Sequence, residues 1–181
     1  MIHLYARKLA IVCLMSLTAV TAFAETKLAV MNYQAVLFNS KAANDATLIL
    51  RASIEPDQKK LQDIQQQLET RQSRLVTDKD ILTDDEKLKF QREMQALLAE
   101  QQQVSARMQQ AQQTSRNEFI QKYQPVIREL VAAHVESEGF TIVVDSQAIL
   151  WNSSEPDITE VILTEFDAQY EAQLSAPATS K

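Results

Sequence analysis

LQDIQQQLETRQSRLVTDKDILTDDEKLKFQREMQALLAEQQQV, residues 61–104, decides the fold. Within the longer run from Ser53 to Tyr123, the apolar residues fall on two seven-residue ladders. Leu61, Ile64, Leu68, Arg71, Leu75 and Leu82 keep the three-then-four spacing of an a/d seam. Phe90, Met94, Leu97, Gln101, Val104, Met108 and Ala111 keep the four-then-three spacing of the same seam run backwards. Leu75 with Phe90, Arg71 with Met94, Leu68 with Leu97, Ile64 with Gln101, Leu61 with Val104 and Ile54 with Ala111 have position numbers that each total 165. An antiparallel helical hairpin requires that constancy. The fold-back then lies near Leu82 and Thr83, where Thr83-Asp84-Asp85-Glu86 has the form of a capping box opening the return helix. About 30 residues at about 1.5 Å each give an arm about 45 Å long. Two helices bury one narrow stripe, so the arm has to project from a separate core.

Outward from the arm, Pro56 and Pro125 fall where helices should be continuing, and each is expected to kink or joint its helix or merely bend it, making them candidate hinges. Upstream, Lys27 to Asn32 reads as a strand, Tyr33 to Phe38 as a turn or two of helix, Asn39-Ser40 as a break, and Asn44 or Asp45 as the next cap. Downstream, the sole glycine, Gly139, sits where a left-handed helix end is wanted. Phe140 to Asp145 is the clearest strand, Ser146-Gln147 a turn, and Ala148 to Asn152 its expected partner strand. Pro156-Asp157 is expected to open a final helix with Ile158, Val161, Ile162, Phe166 and Tyr170 on one side. Arg71 and Gln101 interrupt the seam and should make the arm more pliant than an all-leucine zipper. Leu88, Leu98, Val76 and Ile81 lie off the ladders, either broadening the seam or leaving apolar spots exposed.

The first 24 residues read as an export signal. Arg7 and Lys8 precede an apolar stretch from Leu9 to Val20, and Ala22-Phe23-Ala24 gives a cleavage site after Ala24. That stretch is too short to span a membrane, so the expected location is the periplasm, without stable membrane insertion. Cys13, the only cysteine, leaves with the signal, and no disulfide or thiolate-bound metal is expected. The remainder carries 16 basic residues against 24 acidic, a formal charge of −8 where the whole chain has −6. That balance argues against nucleic acid as a partner. Pro56 to Gln121 is nearly neutral, with 10 basic and 11 acidic residues, whereas Lys122 to Lys181 has 3 and 10. One glycine and four prolines are too few for a β-meander or sandwich.

The expected fold is therefore mainly α with a small β body from which a long antiparallel coiled-coil hairpin projects. The parts are the signal (1–24), a discontinuous β/α body and oligomerisation domain (25–52 and 124–174), the hairpin (53–123) and a loose tail (175–181). Such a body is small for independent stability and leaves strand edges open. Several copies joining their strands into a closed or nearly closed barrel would solve both problems. Leu28, Val30, Phe140, Ile142, Val144, Ile149 and Trp151 are the expected oligomerisation strand residues.

The opening Leu28-Ala29-Val30-Met31-Asn32, the glutamine-rich hairpin, Gly139-Phe140-Thr141-Ile142-Val143-Val144-Asp145, Ile149-Leu150-Trp151-Asn152-Ser153-Ser154 and Pro156-Asp157-Ile158-Thr159 together resemble the Skp, or OmpH-like, family of periplasmic chaperones. The resemblance implies a jellyfish-shaped homotrimer whose arms hold unfolded outer-membrane proteins in a central cavity without ATP. Its implied partners are those unfolded proteins and further copies of the chain, with the outer-membrane assembly machinery as a candidate. The best-known members are basic and are linked to lipopolysaccharide and anionic lipid, whereas this chain is acidic, so that contact is left open. Lys79, Lys87, Lys89 and Arg92 near the tip are the candidates for client or lipid contact, a solvated charged face being the plainer reading.

A holdase needs no catalytic group and no cofactor. His134, the one histidine past the signal, has no cysteine or Glu-x-x-His partner, and Asp145 has a sufficient role as a turn residue. No P-loop, dinucleotide fingerprint or nucleophile elbow is present, so no enzyme is expected. The alternative is a structural spacer or adaptor of an envelope complex. Asn152-Ser153-Ser154 matches a glycosylation sequon but reads as turn chemistry.

Overall fold

Thr83 is where the chain turns back on itself. In the computed structural model of the protein, which describes residues 26–150 and 155–176, the outgoing helix ends at Thr77 and the return helix starts at Asp84. The Thr83 hydroxyl accepts from the Glu86 N–H, and the Glu86 carboxylate accepts from the Thr83 N–H at 2.9 Å. This is the reciprocal capping box expected there. The two Thr83 donors, its N–H foremost, hold the Glu86 carboxyl below its usual range.

In chain order the elements are β1 (Leu28–Met31), α1 (Tyr33–Phe38), α2 (Lys41–Thr77), α3 (Asp84–Glu138), β2 (Ile142–Asp145), a 3-10 turn (Ser146–Ala148) and α4 (Thr159–Ser175). The hairpin is α2 and α3, of 37 and 55 residues, so both run from the arm deep into the body. Ser40 caps α2, rather than Asn44 or Asp45. Its buried hydroxyl accepts from the Ala43 N–H and donates to the Leu37 carbonyl, tying α1 to α2 through one side chain.

Neither Pro56 nor Pro125 ends or interrupts its helix. Each removes one backbone donor and frees the carbonyl four residues earlier, on Ala52 and Gln121. All four residues are exposed, so water can take the place of the missing bond. Gly139 ends α3 at φ 69°, and the Phe140 N–H behind it returns to the Val135 carbonyl.

The sheet differs from the expected hairpin. β2 pairs with β1, in parallel, with Leu28 opposite Ile142 and Met31 opposite Asp145. Of the expected partner strand over 148–152, the described residues Ala148 to Leu150 form no strand. The Asp145 carboxylate accepts from the Gln147 N–H, and the Ile149 N–H returns to the Ser146 carbonyl, curling the chain into the 3-10 turn. Ile149 and Leu150 lie in no strand, and Trp151, like the sequon, falls outside the described residues, as do the signal and the tail beyond 176. The second edge of β1 is taken by residues 156–158: the Val30 N–H donates to the Pro156 carbonyl and the Ile158 N–H to the Val30 carbonyl, both at 2.9 Å. That pairing delays α4 to Thr159, later than the expected start at Pro156-Asp157. Asp157 instead accepts from the Thr159 N–H, while the Thr159 hydroxyl accepts from the Asn32 N–H at 2.8 Å.

The body core gathers Ala29 and Met31 of β1, Val36 and Leu37 of α1, Ala42 and Ala43 of α2, Phe119, Tyr123 and Ile127 of α3, and Ile158, Ile162 and Phe166 at α4. A run of rings from Phe38 through Phe119 and Tyr123 to Phe166 and Tyr170 crosses it. Phe119 and Tyr123, inside the stretch expected to be arm, are thus part of the body core. Val161 of the expected α4 face is 43% exposed.

Candidate functional site

The arm carries its own core of Ile64, Leu97 and Val104, with Leu61, Leu68 and Met108 packed on it. Leu75, Leu82, Phe90 and Met94 nearer the tip are half-buried, so the seam thins outward. Ion pairs flank it in antiparallel register: Asp57 with Arg107, and Arg71 Nε with Glu93 at 3.0 Å, have position numbers that both total 164. Arg71, the cation in the seam, is satisfied by Glu93 and by the Gln67 side-chain and backbone oxygens. The Arg107 hydrogen bond holds the Asp57 carboxyl below its usual range.

What the arm leaves uncovered is apolar as well as polar. Val76 is 74% and Ile81 81% exposed, Leu88 and Leu98 are nearly half exposed, and at the root Leu48 and Ile49 stand out by 60% and 71%. The off-ladder residues therefore do not broaden the seam. Sequence reasoning placed Leu48 and Ile49 on the helix leading to the arm without marking them as an exposed pair. Lys79, Lys89 and Arg92 are exposed and Lys87 lies 3.8 Å from Asp84. Asp78, Asp80, Asp84 and Asp85 are interleaved with them, so the tip is mixed in sign.

The body presents a second open surface. A hollow of about 460 Å³ between α3 and the sheet is lined by Met31, Tyr33, Ile127, Val131, Val135 and Val143, with Arg128 among its neighbours. The Tyr33 hydroxyl there is buried without a hydrogen-bond partner, and burial pushes its pKa up against the opposing effect of Arg128. Among the described residues β2 is paired along one edge only, and its Ile142 is 47% exposed. Of the strands expected to join copies, β1, with Leu28 and Val30, is occupied on both edges. The outer edge of β2, with Ile142 and Val144, is the one left open.

His134 is mostly buried, stacked on Phe140, with Nδ1 3.8 Å from Glu165. It reads as a packing residue joining α3 to α4. No group of three metal-ligating side chains converges among the described residues, and no described helix is long and apolar enough to cross a membrane. The exposed apolar residues of the arm and the open edge of β2 are surfaces of the kind that suits reversible contact with polypeptide.

Residues 27–166 match the family described as outer membrane protein (OmpH-like). A crystal structure from Caulobacter crescentus CB15, described as a candidate outer membrane chaperone (OmpH-like), aligns with a TM-score of 0.61 at 14% identity. The alignment covers 80% of this chain and 85% of that one, and at such identity it bears on the fold. No curated protein matches the chain.

Proposed function

We propose that this chain, which belongs to the OmpH-like outer membrane protein family, is an ATP-independent holdase chaperone for unfolded outer-membrane proteins. The observation that carries the reading is the arm surface: Val76, Ile81, Leu88 and Leu98 stay exposed beside a seam already filled by Ile64, Leu97 and Val104. Large apolar groups spread singly over a glutamine-rich, charge-balanced helix pair offer weak contacts to any unfolded segment and a specific fit to none. Affinity then comes from several arms acting on one client, through effective concentration. The client benefits because its exposed apolar segments no longer meet one another.

Several arms require several copies. The open edge of β2, the hollow beside it and the orphaned Tyr33 hydroxyl support a homotrimer in which the neighbouring chain covers that face. The charged, apolar and Ala22-Phe23-Ala24 pattern of the first 24 residues supports an export signal removed after Ala24 and a working protein in the periplasm. The reading assigns no catalytic residue and no cofactor.

The test is light scattering of a denatured β-barrel protein diluted into buffer without nucleotide. Scattering should fall to a low plateau at stoichiometric amounts of trimer. Unchanged scattering at a threefold excess overturns the proposal, and recovery of one folded partner in pull-down, rather than many unfolded ones, favours the adaptor alternative.

A further inference from the structure

Between the arm and the body lies a groove that neither core fills. Ile54 is buried toward the arm side and Phe119 begins the body core. Where the two meet, Ala43 and Ala46 of α2 and Ser115 of α3 are small side chains lining the gap between the helices. A hollow of about 540 Å³ remains, within the range of about 300–1,000 Å³ usual for ligand sites.

Its walls differ in chemistry. On α2, Ala43, Ala46 and Leu50 are apolar and the Thr47 hydroxyl is already spent on the Ala43 carbonyl, while on α3 Gln112, Ser115 and Arg116 are polar and spaced to share one helix face. Phe38 and Phe119, stacked with ring centroids 6.2 Å apart, form the floor. The Arg116 guanidinium lies 4.5 Å from the centre of the Phe38 ring. No carboxylate lines the hollow, and Arg116 forms no ion pair among the described residues of a chain whose net charge is −6. An unpaired guanidinium held against an aromatic surface is a bidentate receptor for a carboxylate that arrives beside an apolar group.

We propose that this root groove is a polypeptide-binding subsite that takes a large apolar side chain, aromatic first, adjoining an acidic residue in an unfolded chain. The ring packs on Phe38 and Phe119, and the carboxylate pairs with Arg116. This rests on the holdase reading and adds a preference to it: the exposed arm residues hold any apolar segment, whereas the root selects an acidic neighbour.

The probes are two dye-labelled peptides, capped at both ends, that carry Phe-Glu or Phe-Gln in a glycine-serine context, titrated into the full assembly by fluorescence anisotropy. Wild type should bind the Phe-Glu peptide about fivefold tighter, the scale of a partly exposed ion pair. Arg116→Gln should remove that ratio, Arg116→Lys should keep part of it, and Ala46→Trp should weaken both peptides together by filling the hollow. Circular dichroism melts identify any variant that has merely unfolded. A ratio that survives Arg116→Gln, or peptide binding indifferent to Ala46→Trp, overturns the subsite. So does displacement by myristate with no response to either peptide, which would make the groove an acyl site. If wild type suppresses aggregation yet shows a ratio of one, the subsite fails and the holdase reading stands. If the ratio holds without suppression, the holdase reading fails alone.

Discussion

Tyr170 fastens α4 to the start of α2 through one hydroxyl, which donates to the Asp45 carboxylate at 2.9 Å. Burial, and then that carboxylate, push the phenol up to about 12 from its ordinary value of 10.0. A folded-state pKa above the unfolded one gives stability that is complete below the ordinary value and is lost as pH rises through the raised one. Stability to urea should therefore fall as pH climbs from about 10 toward about 12. Tyr170→Phe should lower stability by about 1 kcal/mol at neutral pH and should flatten that alkaline fall; an unchanged alkaline slope in the variant would assign it to another group. Beside it Lys41 pairs with Glu171, and its backbone N–H meets Asp167, so the tie is not single. None of these partners was legible beforehand, because Asp45 and Tyr170 are 125 positions apart and no local pattern joins them. Ser40 was missed for a different reason: Asn44 and Asp45 are equally good cap formers, and only burial of the Ser40 hydroxyl decides among them.

The hairpin was readable because two long ladders and a capping box agree, whereas the sheet was not, because a parallel pair leaves no turn to recognise between its strands. Leu28 finds Ile142 across the whole length of the arm. Both prolines are accommodated inside continuous helices, as the bending alternative allows, because on these exposed faces a freed carbonyl can turn to water. Exposure of the off-ladder residues was equally hidden, since spacing alone cannot tell a broad seam from a bare one. Within the arm, stability should be concentrated at Ile64, which is fully buried at the centre of a small cluster. Ile64→Ala should cost about 2–4 kcal/mol, a large share of what so narrow an interface holds. The loss should be local: hydrogen exchange should quicken through residues 57–108, while amides of α1, α4 and the body half of α3 keep their protection. Equal acceleration everywhere would mean that arm and body melt as one unit.

At the scale of the molecule the question is whether two cores make two separable functions. The body core and the arm core share no residue, and the root between them is underfilled, so shortening the arm should leave the body intact. The seam repeats every seven residues, so removing Leu61–Arg74 together with Gln91–Val104 takes two heptads from each strand of the hairpin. Positions 61 and 104, like 74 and 91, face one another, and the cut therefore keeps the register, the turn and the capping box while shortening the arm by about 21 Å. It removes the Ile64 cluster and Leu98 but spares the root groove and the open face of β2. The shortened chain should keep the subunit number of the full one, measured by sedimentation, and the melting transition of its body. Its capacity should fall selectively: a short unfolded client should still be kept from aggregating, whereas a large one should scatter light nearly as it does alone, because the arms no longer reach around it. Equal protection of both clients would place the holding surface at the root and body and would leave the outer arm without a role.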